Sequence, residues 1–187
     1  YKITNYADDT NFFISNFNSV FDIFKIYSLF QQASGATLKK EKTKILLIGK
    51  TALSLATPKS LIPYLVSDLK LYGIHFDKQG VNSEENLKNF ETGFCKLENR
   101  YAGPEISYWA RCRIVDTYYL TKLWYIGLFS IISESYIRKI QKIIGRFIWI
   151  PSKKNLVSMG IIKNKPDNGG LGLTDINSKL KAMSFMA

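Results

Sequence analysis

Residues 2–7 and 10–15 are two short strand-like runs, and in the second Phe12 and Ile14 fall on one face and Phe13 on the other. That pattern predicts two short strands, and Asp8-Asp9 between them makes a β-hairpin with acids at its tip. From Ser19 the period lengthens. Val20, Phe21, Ile23, Phe24, Tyr27, Phe30 and Ala33 recur at helical spacing as far as Gly35, behind a Ser19/Asp22 pair that resembles a capping box. A buried amphipathic helix is expected there. Lys44 to Ile48 reads as a buried strand, and Asp68 to Phe76 as one alternating strand. After Asn82 the pattern turns helical. Ser83 caps a stripe of Leu87, Phe90, Phe94, Leu97 and Tyr101 that Gly103-Pro104 stops, and a second helix starts near Ser107 and runs through Trp109, Cys112, Tyr119, Leu123 and Ile126. A third runs from about Ser133 to Trp149, before Pro151, and the Gly-rich turn Asp167–Leu173 leads to a helix beginning near Asp175. The expected class is α+β: an antiparallel sheet with a packed helix over residues 1–81, helices over 82–150, and a further segment over 151–187. No internal repeat or low-complexity segment interrupts it.

Composition adds a partner to this picture. With 187 residues, 46% of them hydrophobic, the chain has enough apolar material for a folded core. Its net charge of +11 and pI near 9.6 favour an anionic partner, nucleic acid first. The excess is clustered: residues 39–50 carry +4 and residues 96–154 carry +7. Clustered cations suit phosphate binding, because each neutralised phosphate releases counterions. On the third helix Arg138, Lys142 and Arg146 stand at i, i+4 and i+8 and form one basic ridge. Such a ridge is either a solvated face or a track for a nucleic-acid backbone. Trp109, Trp124 and Trp149 lie on apolar stripes and are expected in the core rather than as base-stacking platforms.

Cys95 and Cys112, with His75 as the single histidine, are too few for a disulfide framework or a zinc site of ordinary spacing, so an intracellular, reducing setting is expected. No apolar run reaches the roughly 18 residues of a membrane span. The chain lacks an initiator Met and its first residues already read as a strand, so a piece of a larger polypeptide is expected.

Two neighbouring aspartates repel unless a cation or hydrogen bonds offset the cost. Mg²⁺ is a fitting cation, since it prefers carboxylate oxygens together with substrate phosphates, and nucleotidyl transfer commonly uses two such ions. An ordinary Asp-Asp turn is the competing reading of the dipeptide taken by itself.

The surrounding blocks bear on that choice. Tyr6-Ala7-Asp8-Asp9-Thr10 at a hairpin resembles the catalytic box of reverse transcriptases. Phe30-Gln31-Gln32-Ala33-Ser34-Gly35, Leu38-Lys39-Lys40-Glu41-Lys42-Thr43 and Leu71-Tyr72-Gly73-Ile74 follow in the order found in LINE-type (non-LTR) retrotransposon reverse transcriptases, although Leu and Tyr are exchanged in the last block. Trp109–Ile114, Leu123–Tyr125, Arg146–Trp149 and Gly169–Leu173 are similar to blocks of the thumb and the segment after it. The resemblance covers nearly the whole chain.

It implies the C-terminal part of an antiparallel palm-type sheet over 1–81, an all-helical thumb over 82–150 and a post-thumb connection over 151–187. It also implies an RNA-directed DNA polymerase in the intact parent. Asp8 would be a ligand of Mg²⁺ (or Mn²⁺) and Asp9 would support the same site. Tyr6 would sit beside the primer terminus. Lys42 would stand near the leaving pyrophosphate or donate a proton, or else be a solvated lysine. Leu71, Tyr72 and Gly73 would hold the primer, and Arg111, Arg113, Arg138, Lys142 and Arg146 would contact the template–primer backbone. The implied partners are an RNA template, a DNA primer, deoxynucleoside triphosphates and the upstream part of the same polypeptide, which in this family carries another metal-binding Asp. No membrane partner is implied, and the parent would work in the nucleus and cytoplasm. Without the upstream Asp this segment is expected to be inactive by itself. A non-catalytic nucleic-acid-binding remnant and a group II intron maturase-like polymerase are the alternatives.

Overall fold

The computed structural model describes residues 2–6, 9–49, 57–103, 105–150, 152 and 156–184. Ala7, Asp8, Pro104 and Pro151, on which sequence expectations fell, lie outside them. The chain is mixed α+β and divides into two compact units, residues 1–69 with 77–80 and residues 70–76 with 81–187.

In the first unit, β1 (Lys2–Tyr6) and β2 (Asp9–Phe13) pair antiparallel, with Tyr6 opposite Asp9 and Lys2 opposite Phe13. Helix α1 (Asn18–Ser34) comes next and ends at Gly35, which takes a left-handed φ of 71° and donates its N–H to the Gln31 carbonyl. The start differs from the expected capping box. Asn16 Oδ1 accepts from both Ser19 N (2.9 Å) and Ser19 Oγ (2.8 Å). Ser19 already lies inside the first turn, so its N–H is one of the orphan donors that a preceding side chain must satisfy.

The helix was expected to be buried, and that also needs correction. Phe12 meets Tyr27 edge-on at 6.0 Å and Phe24 meets Tyr64 at 5.5 Å. Yet Ile26, Leu29 and Phe30 remain more than half exposed, and Val20 and Leu61 are the buried apolar residues among those described in this unit. Two five-residue strands are too narrow to cover a 17-residue helix. The strand expected at 44–48 is the short β3 (Ile45–Leu46), paired in parallel with β4 (Leu65–Val66).

Strands β5 (Asp68–Leu71), β6 (Ile74–Asp77) and β7 (Gly80–Val81) form a three-stranded meander through which the division between units passes. The single strand expected over 68–76 is therefore two. Tyr72 and Gly73 have φ of 49° and 87°, and two successive positive φ angles are the signature of a tight hairpin turn.

The second unit holds the large core. Helix α2 (Ser83–Arg100) is capped by Asn82, whose side chain accepts from Glu85 N, one residue earlier than expected. Buried Asn86 accepts from His75 N (2.8 Å) and donates to the His75 and Asn82 carbonyls, so its amide is satisfied while it ties β6 to α2. Helix α3 (Tyr108–Ile114) runs through a π-helical stretch, Val115–Leu120, into α4 (Thr121–Gly127). Helix α5 (Glu134–Ile148), capped by Ser133, buries Ile137, Ile140, Ile144, Phe147 and Ile148. Tyr119 stacks on Phe90 at 4.0 Å and meets Phe94 at 4.2 Å, at the centre of this core. Among the described residues no helix is long and apolar enough to cross a membrane.

Residues after 151 pack into the same unit, with Ile162, Leu173 and Ile176 in its core. Helix α6 (Met159–Lys163) is followed by the Gly-rich turn and α7 (Ile176–Ser184). The turn's glycines have separate reasons. Gly169 and Gly172 take φ of 74° and 66°, and a Cβ on Gly170 would run into the backbone carbonyl of Asn164. Gly170→Ala is accordingly expected to cost about 3 kcal/mol, because the backbone must shift and strain the Gly172 N–H bond to the Asn164 carbonyl. Gly93→Ala, where the nearest atom is the flexible Lys122 Nζ at 3.9 Å, is expected to stabilise α2 by about 0.5–1 kcal/mol. Urea unfolding of the two variants checks both signs.

At the end of this segment Lys163 Nζ lies 2.5 Å from Asp175 Oδ2, and Asp175 Oδ1 accepts from Ser178 N at the start of α7. The Lys163 hydrogen bond, aided by Ser178 and opposed by burial, holds the Asp175 carboxyl below the usual carboxylate range. In the window between its folded and unfolded values the unfolded chain binds the extra proton, so stability falls as pH falls. Asp175→Asn is expected to lower stability at neutral pH by up to about 1 kcal/mol. Its deficit relative to the native chain should vanish once pH drops below the folded value, as melting curves across acid pH would show.

Candidate nucleic-acid interface

The hairpin of the first unit presents Tyr6, 71% exposed, directly across from exposed Asp9. Antiparallel pairing puts both at the strand ends next to the connection, where carboxylates stay hydrated and free to take a hard cation. Asp8 lies outside the described residues. Lys42 ends a short 3₁₀ turn, Lys40–Lys42, and is exposed, as are its neighbours Lys39 and Lys40. The turn concentrates positive charge in one short stretch. Among the described residues no three of His, Cys, Asp and Glu come together as a metal site. Asp9 is the described carboxylate at this hairpin, and an exposed carboxylate is the kind of oxygen donor a hard cation takes.

The second unit carries the other sequence-derived residues. Leu71 is half-buried, and the exposed Tyr72 sits with Gly73 at the meander's tight turn. The Tyr125 hydroxyl donates to the Tyr72 carbonyl at 2.6 Å, anchoring this turn to α4.

On α5, Arg138, Lys142 and Arg146 are all exposed, opposite the Ile140–Ile144–Phe147 face. Arg138 has a loose ion pair with Glu134 at 3.8 Å, while Lys142 and Arg146 are in none among the described residues. Unpaired cations one helical turn apart can each meet a phosphate without breaking an existing pair.

Two arginines depart from the expectation. Arg111 is fully buried, and its guanidinium donates to the carbonyls of Tyr101 (3.0 Å), Gly103 (2.5 Å), Ile106 (3.3 Å) and Phe147 (3.4 Å). Burial pushes its proton affinity down, and a group so enclosed does not reach a backbone phosphate. Arg113 is half-exposed but committed: it pairs with Asp116 at 3.0 Å and donates to the carbonyls of Leu171 and Gly172. Asp116 in turn accepts from Thr174 N, so this pair clips the Gly-rich turn to α3.

Trp109 is corrected in the opposite direction. Trp149 is buried and Trp124 half-buried, as expected, but Trp109 is 54% exposed with the Arg113 guanidinium 6.0 Å from its ring. The buried stripe of α3 passes through Arg111, Cys112 and Val115 and leaves residue 109 at its margin. The Cys112 thiol, pushed up to about 12 mainly by burial, stays protonated and offers neither a nucleophile nor a ligand.

Sequence reasoning did not single out Lys70, Asn89 or Lys122, which line one cleft of this unit with His75 and Tyr125. They come from three separate elements, and no spacing along the chain brings them together. No protein-family profile matches the chain, and a search of curated proteins returns no match.

Proposed function

We propose that this chain is the end of the palm, the thumb and the post-thumb segment of a non-LTR retrotransposon reverse transcriptase, an RNA-directed DNA polymerase. One observation carries the reading: Tyr6 and Asp9, the outer residues of the Tyr-Ala-Asp-Asp box, face each other across an antiparallel hairpin, as a polymerase box requires. Further support comes from the order of the elements beyond the hairpin: a helix closed by Gly35, the Lys39–Lys42 block, the Tyr72–Gly73 turn and a basic ridge on a helical unit.

In this reading Asp8 and Asp9 hold Mg²⁺, which, when bound, activates the primer 3′ oxygen and offsets charge on the triphosphate. Lys42 balances charge on the leaving pyrophosphate. The Tyr72–Gly73 turn holds the primer strand, and Arg138, Lys142 and Arg146 track the template–primer backbone. Arg111 and Arg113 keep their structural tasks, the one inside the helical core and the other at the Gly-rich turn. The third carboxylate comes from an upstream segment of the same polypeptide.

The unit that carries the hairpin is poorly covered, with Ile26, Leu29 and Phe30 exposed, which agrees with a need for that segment. The test joins this chain to the coding segment that precedes it and measures Mg²⁺-dependent extension of a DNA primer on an RNA template. Extension that requires Asp8 is the expected result, and extension indifferent to Asp8→Ala overturns the reading.

A nucleic-acid-binding remnant is the second reading, favoured by Lys142 and Arg146, which are in no ion pair among the described residues and could meet phosphate without any help from the aspartates. Stop codons in the DNA immediately upstream would support it, and an open frame with a further strand-borne Asp would count against it.

A further inference from the structure

The second unit contains a cleft of about 340 Å³ between the meander's tight turn and helices α2 and α4. Its floor is apolar, with buried Phe90 and Ile126, and Lys70 and Lys122 stand among its lining residues. Among the described residues no carboxylate lines it and neither lysine is in an ion pair. Two exposed lysines lining one cleft give it a positive potential, which favours a bound anion.

The lining side chains Asn89 and His75 are ordered by a short chain of contacts. The Asn89 amide nitrogen donates to Glu85 Oε1 at 3.1 Å, which fixes the amide's orientation, and it lies 3.3 Å from His75 Nε2. The cleft is also preformed. Tyr125 binds the Tyr72 carbonyl at 2.6 Å, and its ring is 3.8 Å from where a Cβ on Gly73 would lie, so one wall is held against α4 before any ligand arrives.

We infer that this cleft is a seat for a phosphate group, carried either by a nucleic-acid backbone or by a free nucleotide or pyrophosphate. The inference stands on the cleft and its cations and is independent of the polymerase reading. Isothermal titration of the 187-residue chain at low ionic strength with pyrophosphate, a deoxynucleoside monophosphate and a short DNA duplex tests it. Pyrophosphate binding should be saturable, and the Lys70→Ala/Lys122→Ala variant should weaken it about tenfold or more, given the worth of charge-assisted contacts. Lys142→Ala/Arg146→Ala should leave it unchanged, and Lys70→Arg/Lys122→Arg should retain it. Both lysines are exposed, so thermal melting of the variants should match the native chain.

Displacement of pyrophosphate by the duplex identifies a backbone phosphate as the source, and simultaneous binding of both identifies a free ligand. Unchanged affinity in the Lys70/Lys122 variant, an equal loss in the Lys142/Arg146 variant, or no saturable anion binding overturns the seat. Primer extension plays no part in this readout, so the seat and the polymerase reading fail separately.

Discussion

Asp8→Ala, in the chain joined to its upstream segment and on the polymerase reading proposed above, is expected to slow primer extension by about 10³-fold or more while changing primer–template affinity little. The reasoning starts from repulsion: adjacent carboxylates beside a tight connection destabilise each other unless a cation is shared between them. If the cation is magnesium, the ligand that aligns it with the primer 3′ oxygen contributes only where charge develops during transfer. Its loss therefore falls on the rate and not on binding. Asp9→Ala should cost less, because Asp9 supports the site rather than anchoring it. Asp8→Asn separates the metal reading from the ordinary-turn reading. It keeps the shape and removes one of two like charges, so the hairpin should be as stable as before or more so, yet extension should still be lost. Native rates in Asp8→Asn would mean that the pair is only a turn.

The second large effect belongs to stability. Arg111→Ala is expected to destabilise the helical unit by about 4 kcal/mol, seen as a lower urea midpoint, with any change in nucleic-acid binding arising from unfolding. Arg111 is a buried cation whose guanidinium hydrogen bonds all go to carbonyls, and the positions of those carbonyls explain how the charge is tolerated. Tyr101 is the residue at which α2 ends, and Phe147 lies in the last turn of α5. Two helix C-termini, each with a partial negative charge of roughly half a unit, thus converge on one guanidinium. Its planar fork also reaches Gly103 and Ile106 in the α2–α3 connection, and its face lies 5.3 Å from the Phe147 ring. Truncation removes the guanidinium donor from all four carbonyls, of which only that of Phe147 keeps a backbone partner, Ile150 N, among the bonds described. Arg111→Lys should recover only part of the loss, since a point ammonium cannot span four carbonyls. Lys142→Ala should do the reverse, weakening nucleic-acid binding with stability unchanged, and equal melting of Arg111→Ala and native chains would remove Arg111 from the core's supports.

Much of the site's legibility depended on how local its cause was. The Tyr72–Gly73 turn was readable in principle: the apolar positions are 69 and 71 before it and 74 and 76 after it, a change of parity that one strand would not show. The α5 ridge was legible because a helix of fixed period must put residues 138, 142 and 146 on one face. Arg111 and Arg138 could not be told apart in the same way. Both are arginines on amphipathic helices, and only the packing of α2, α3 and α5 decides that one meets carbonyls and the other water.

By itself the sequence determined the features that short-range chemistry dictates: the antiparallel pairing of residues 2–6 with 9–13, the helix ending at Gly35, the helical character beyond Asn82 and the basic excess. The tertiary structure alone decided which charges are buried, paired or left free. It enclosed Arg111, tied Arg113 to the Gly-rich turn, left Trp109 outside and gathered Lys70, His75 and Lys122 around one cleft. The physical reason is range: dihedral preference and periodicity act over a few residues, whereas desolvation and carbonyl partners depend on elements tens of positions apart.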